Sequence, residues 1–211
     1  MTTQIIERPT GRREARKQDR REAIVAAARR SFLDDGYAAT SMSGLLKTLG
    51  GSKATLWGYF RSKEELFAAV IEHVTLTFRE QIEGELLAAG ALEPTLIAFC
   101  RSFMEKMASP DSVATWRLVV AESGRFPEVG RIFYERAAGH VERAIATYLA
   151  AQVAAGHLRD EDPDMMAQLL ISMCATEQNK LLWGVVPADA GEIEANAARF
   201  TAYFLRLFAT A

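Results

Sequence analysis

Strand signals are nearly absent from this sequence. Period-two alternation persists nowhere, and valine and isoleucine are sparse, which argues against a sheet. Long apolar runs are missing as well. No stretch of about 18 apolar residues occurs, so nothing reads as a membrane-spanning helix. The opening MTTQIIERPTGRREARKQDRR lacks the apolar centre of a secretory signal. A cytoplasmic chain is expected. Cysteine is scarce: Cys100 and Cys174 sit in apolar helical patterns and read as reduced, buried and structural. The histidines His73, His140 and His157 are scattered, so no Cys/His grouping has metal-ligand spacing. Neither a metal nor a cofactor is expected. Catalytic signatures are missing too: there is no H-E-x-x-H, no G-x-S-x-G and no Glu-x-x-His pair of the di-iron type. An all-helical enzyme is therefore the weakest of the functional readings.

What the chain does have is helical periodicity and a split in charge. Its 211 residues are 49% hydrophobic and 25% charged, the mix of an ordinary globule with room for a small domain fused to a larger one. The formal net charge of −2 conceals an asymmetry. Residues 1–63 hold 13 Lys+Arg against 6 Asp+Glu, whereas residues 64–211 hold 12 against 21. A basic segment on an acidic body suggests that only the first third meets a polyanion. A solvated basic tail is the plainer alternative.

The punctuation sets about nine helices. Residues 1–11, with Pro9 and Gly11, read as a disordered arm. A first helix is expected from Arg12 to Asp35, with the stripe Ile24, Ala27, Ala28 and Phe32 and with Gly36 as its stop. Ser41 caps a short helix to Leu49, Gly50-Gly51 breaks it, and Ser52 caps another to Tyr59. Ser62-Lys63-Glu64-Glu65 is a capping box, and its helix turns Leu66, Phe67, Val70, Ile71, Val74 and Phe78 inward. Further helices start at Glu93-Pro94, at Pro110 and at Pro127, the last running to Ala155 with an interruption point at Gly139. Asp162-Pro163 opens one to Gly184, and Asp189-x-x-Glu192 opens the last. The fold class is all-α, divided into residues 1–11, 12–61 and 62–211.

The stretch LGGSKATLWGYFRSKEEL, residues 49–66, carries the densest signal. A phosphate-binding loop needs G-x-x-x-x-G-K-[ST] after a strand. Here Gly50-Gly51-Ser52-Lys53 has the wrong spacing and follows a helix. A helix-turn-helix needs two short helices joined by a tight turn, and residues 41–49, 50–52 and 53–59 supply them in order. Leu45, Leu46, Leu49 and Leu56 would pack the two helices together. The second helix would then expose Lys53, Ala54, Thr55, Trp57 and Tyr59, a surface suited to a groove. Core placement of Trp57, Tyr59 and Phe60 is the competing reading, and it suits Phe60 best.

Residues 21–71 resemble the DNA-binding domain of the TetR/AcrR family of bacterial transcriptional regulators. The resemblance rests on the Ala-rich helix ending in Phe32, the Gly36-Tyr37 turn, Thr40-Ser41, Gly50-x-Ser52-Lys53-x-Thr55-Leu56, Tyr59-Phe60 and Ser62-Lys63-Glu64-x-Leu66-Phe67. Leu46 and Leu49 stand where the family usually has Ala, Gly51 where it has Val, and Trp57 where it has Tyr. The resemblance implies that helix 53–59 enters the major groove of double-stranded DNA, where all four base pairs are distinguishable. Lys53, Ala54 and Ser43 become candidates for base edges. Thr40, Ser41, Thr55, Trp57, Tyr59 and Lys63 become candidates for phosphates. Arg13, Arg16, Lys17 and Arg20 form one basic face. It either reaches DNA or is simply solvated.

The acidic remainder is too apolar for a passive tail. Residues 116–170 resemble the C-terminal domains of AefR-like members, which implies a larger helical domain for effector binding and dimerisation. Phe99, Phe103, Met104, Met107, Trp116, Phe133 and Tyr134 are candidates to line an effector pocket, with core packing as the alternative for each. Glu122 and Glu177 interrupt apolar faces and should be paired, structurally with Arg117, Arg125 or Lys180, or functionally with a cationic effector. His140 is a weaker pocket candidate. The stripes Met166, Leu169, Leu170, Met173 and Ile193, Ala197, Phe200, Phe204, Leu207, continuing to Phe208, are candidates for a homodimer interface, or else face their own core. The expected function is a dimeric, ligand-responsive DNA-binding regulator, a repressor released from a near-palindromic operator by an unknown small molecule. A DNA-binding regulator without an effector is the alternative.

Overall fold

The computed structural model of the chain describes residues 10–50, 53–88, 90–176, 178–185 and 190–210. Gly51, Ser52, Glu177, Asp189 and residues 1–9 of the expected arm lie outside them, as does the side chain of Arg13. Two compact units are present, Met1–Val70 and Ile71–Ala211. Their boundary falls inside the fourth helix. The described residues are helical apart from turns and one isolated bridge, Leu158 to Ala209.

In the first unit, α1 (Thr10–Ala39) starts two residues before the expected Arg12, and its long segment ends where Gly36 was expected to stop it, followed by one further short turn. Gly36 breaks the helical path with a kink, at φ 88° and ψ 166°, a backbone region open to glycine alone without strain. The kink turns Tyr37 back onto the unit's core. There Phe32, Tyr37 and Phe67 form an aromatic trio with centroids 5.2–5.6 Å apart, and all three are fully buried. Ile24, Ala27 and Ala28 are buried beside them, as their spacing required.

Ser41 caps α2 (Met42–Leu49), its Oγ accepting the Gly44 N–H at 3.0 Å. Leu45 of α2 and Leu56 of α3 (Lys53–Tyr59) are buried, while Leu46 and Leu49 are only half-buried. The Ser62 cap of α4 (Lys63–Leu87) differs in one detail from a reciprocal box. Ser62 Oγ accepts the Glu65 N–H, but the Glu65 carboxylate accepts from Arg61 rather than from Ser62. Hydrogen bonding from Ser62 and from its own backbone, aided by Lys63 and Tyr37, holds the Glu64 carboxyl below its ordinary pKa.

The second unit contains the rest of α4 with α5 (Leu92–Ala108), α6 (Pro110–Ser123), α7 (Pro127–Phe133), α8 (Gly139–Ala154), α9 (Pro163–Cys174), α10 (Gln178–Leu182) and α11 (Ala190–Phe208). Among the described residues eleven α-helices thus stand where about nine were expected, because two expected helices are each divided. The first division is a π turn, Tyr134–Ala138, between α7 and α8. Its wide turn brings the Tyr134 carbonyl so close to Gly139 that a Cβ there would lie 3.0 Å from it. The second division follows Cys174. Thr176 donates both its hydroxyl and its N–H to the Met173 carbonyl, tightening and ending the turn.

The core of this unit is built by α4, α5, α8, α9 and α11, with α5 on α11 and α8 on α9 as the most extensive pairs. Cys100 and Cys174 are free thiols within it, as their apolar setting implied. Thr201 donates to Cys100 Sγ at 3.7 Å.

Candidate nucleic-acid interface and ligand cavity

The α2–α3 pair is held from below by apolar anchors and from the side by α1. Leu45, Leu56 and Phe60 fix the helices to the unit's core. The Arg20 guanidinium donates to the Gly50 carbonyl at 2.7 Å and lies 3.4 Å from that of Leu49, satisfying the C-terminal carbonyls that a short helix leaves open. Arg21 stands over the Phe60 ring at 5.3 Å. Arg20 is therefore committed to the turn, while Arg16 and Lys17 are exposed.

The opposite side of α3 faces solvent. Lys53, Ala54 and Thr55 are exposed, and so is Trp57 at 41%. Ser41 and Ser43 of α2 are exposed as well. Tyr59 is half-buried and lines a surface groove with Glu14, Lys17, Gln18 and Arg21 of α1. Exposed tryptophan beside lysine on a seven-residue helix is poor design for water alone. It is what a groove-filling surface requires.

Two of the sequence candidates do not offer their side chains to that surface. Thr40 is 4% exposed, and its hydroxyl donates to the Gly36 carbonyl at 2.8 Å. Lys63 donates to the carbonyls of Tyr37 and Thr40 at 2.8 and 3.2 Å and sits 4.1 Å above the Tyr37 ring. Both brace the kink after Gly36, where backbone carbonyls would otherwise lack donors. Sequence spacing placed them near α3 but could not reveal that the kink consumes them.

In the second unit a cavity of about 200 Å³ opens between α4, α5, α6, the end of α7, the π turn, α8, α9 and α10. Phe103, Met107, Trp116 and Phe133 line it as the sequence suggested, with Trp116 set edge-on to Phe133 at 5.2 Å. Phe99 and Met104 do not line it: both are buried in the core, and Phe99 stacks on Phe103 at 6.1 Å. Glu122 is half-buried away from the cavity and engaged within the protein. Arg117, one of its expected partners, instead donates to the carbonyls of Leu181 and Leu182. His140 also lies outside the lining. Its Nδ1 is 3.3 Å from Arg143, and burial, then the charges of Arg79, Arg143 and Arg136, push its pKa below the ordinary imidazole value.

Arg79, Lys106, Asp111 and Glu142 also line the cavity, and none was singled out from sequence. A usable signal existed for one of them. Arg79 follows Phe78 and lies one turn from Thr75, beside the inward stripe of α4.

The interface candidates on α9 and α11 separate cleanly. Met166, Leu170, Ala197 and Phe204 are fully buried in their own unit, and Phe208 nearly so, so they are core rather than contact surface. Leu169 and Leu207 are exposed, together with Met165 and Tyr203. Met173, Ile193 and Phe200 are half-buried. Both stripes were wide enough to serve two faces, and the unit's own core takes the deeper one.

Comparison with known proteins agrees with this geometry. Residues 24–70 match the profile described as bacterial regulatory proteins, tetR family. Residues 94–210 match that of the AefR-like transcriptional repressor C-terminal domain. The HTH-type transcriptional regulator BetI of Rhizobium meliloti (strain 1021) is 35% identical over 114 residues, 54% of this chain. The match spans only 56% of that regulator's length. The solved structure of the flavonoid-responsive regulator FrrA is 32% identical, with a TM-score of 0.77 over 91% of this chain and 98% of its own. A TetR-family regulator of Mesorhizobium loti MAFF303099 shares the fold with a TM-score of 0.79 at 24% identity, over 92% and 99% of the two chains. No described helix is long and apolar enough to cross a membrane.

Proposed function

This chain belongs to the TetR family of transcriptional regulators, and on that premise we propose that it is a homodimeric repressor released from its operator by a small molecule. The observation that carries the reading is the face of α3. Leu56 and Phe60 anchor that helix while Lys53, Ala54, Thr55 and Trp57 are left to solvent. Lys53, Ala54 and Ser43 read base edges, and Ser41, Thr55, Trp57 and Tyr59 hold phosphates. Thr40 and Lys63 act behind them by fixing the kink. Residues 10–70 form the DNA-binding head, residues 1–9 its arm, and the remainder from Ile71 the effector and dimer domain.

A cavity of about 200 Å³ in the second unit favours control by a small molecule over a regulator with no effector, since a core without that purpose packs without such a void. The flavonoid-responsive relative supports the same reading. Ligand binding lowers DNA affinity by its preference for a dimer whose two heads no longer fit adjacent half-sites.

The dimer forms through the exposed ridge of α9 and α11. Leu169→Glu/Leu207→Glu places four carboxylates in a twofold contact. Analytical ultracentrifugation is expected to give a dimer for the wild type and a monomer for this variant. Specific affinity for DNA from upstream of the gene falls at least 100-fold, because each copy then binds one half-site alone. A variant that stays dimeric, or a monomer that keeps full affinity, contradicts the proposal.

A further inference from the structure

We propose that the cavity of the second unit takes a compact apolar molecule bearing one anionic group, and that Arg79 recognises that group. This inference rests on the reading of the cavity as the effector site and specifies its ligand. The walls are largely hydrocarbon and aromatic, among them Phe78, Trp116, Phe133 and Val141. Four charged side chains interrupt them, and three are engaged within the protein. Lys106 Nζ donates to the Val74 carbonyl at 3.1 Å. The Glu142 carboxylate accepts the Tyr134 hydroxyl at 2.8 Å, which holds that phenol above its ordinary pKa. Asp111 has its own partner.

Arg79 is different. Its Nε–H is buried, and no described residue accepts a hydrogen bond from it. A buried donor on a charged group is costly to leave unmatched, and because the Arg79 side chain lines the cavity, a small rotation of it would present that donor to an entering carboxylate for a charge-assisted bond.

Among the charged lining residues Arg79 and Lys106 balance Asp111 and Glu142, so the preference for an anion rests on the unmatched Arg79 donor rather than on net charge. Size limits the remainder: a cavity of about 150 Å³ holds benzene, so about 200 Å³ suits one aromatic ring with a short acidic side chain.

The test is calorimetric titration of the full-length protein with three matched probes: cinnamate, cinnamamide and cinnamylammonium. It is run on wild type, Arg79→Met and Arg79→Lys, each checked for native circular dichroism. Cinnamate is expected to bind at least tenfold more tightly than cinnamamide, and the ammonium least. Arg79→Met keeps amide binding and abolishes the preference for the acid, while Arg79→Lys retains part of it. Equal binding of acid and amide, tighter binding of the ammonium, or an undiminished preference in Arg79→Met overturns the proposal. A preference for the acid with no change in DNA affinity sinks the effector reading instead. Absence of binding by all three sinks both.

Discussion

Lys53→Ala/Trp57→Ala is expected to lose roughly 10³-fold in affinity for specific DNA, with fold and dimer intact. Both side chains are on the exposed face of α3, so their removal opens no cavity in the core. Alanine is the best helix former, so α3 itself is not weakened. Leu56 and Phe60 still anchor it. A lysine on a base edge contributes about 1–3 kcal/mol of discrimination. Adding the lost phosphate contact of the indole N–H, about 2 kcal/mol per half-site and about 4 kcal/mol for two half-sites is a fair total, or roughly 10³-fold. Fluorescence anisotropy with a labelled upstream duplex and excess competitor DNA measures it. A loss of less than about fivefold would remove α3 from the interface.

Phe67→Ala should have the largest effect on stability. Phe67 is 1% exposed and meets Phe32 and Tyr37 edge-on at 5.2 and 5.3 Å. Removing a buried phenylalanine costs about 3–5 kcal/mol, and a unit of this size has little to spare. The loss falls directly on function, because Tyr37 and its carbonyl also seat Lys63. Proteolysis of the transiently open state follows its population, so about 3 kcal/mol raises tryptic cleavage within residues 10–70 more than roughly 100-fold. Phe67→Leu, which keeps most of the volume, should cost far less. Cleavage of Phe67→Ala at the wild-type rate would show that the trio does not hold the unit together.

The helices were legible because their signals are local. Prolines 110, 127 and 163 each stand at the start of a helix, and the Ala27, Ala28 and Phe32 stripe is buried as spaced. What escaped the sequence was set by tertiary competition. Gly36 reads as a stop and is one, but the short helical turn of residues 37–39 after it was not expected, and there Tyr37 finds a place against Phe32 and Phe67. The π turn leaves no mark beyond Gly139, and the division after Cys174 depends on which carbonyl Thr176 chooses.

The candidate DNA surface was legible at α3, where exposed and anchoring positions alternate within seven residues. It was misread at Thr40 and Lys63, whose partners are carbonyls that only the kink brings into reach. The cavity was legible only in its aromatic wall. Phe99 and Phe103 share a helix and a stripe, and nothing in their spacing tells which one borders a void. Arg79 was passed over because an arginine on a long helix reads by default as solvated.

Hydrogen exchange with and without the upstream duplex tests the central claim most directly, read by mass spectrometry on full-length protein. The account predicts new protection concentrated in the amides of Ser41–Gly44 and Lys53–Tyr59, lost when Lys53 and Trp57 are both alanine. Protection that appears elsewhere and leaves those two segments exchanging at their free rates would contradict it.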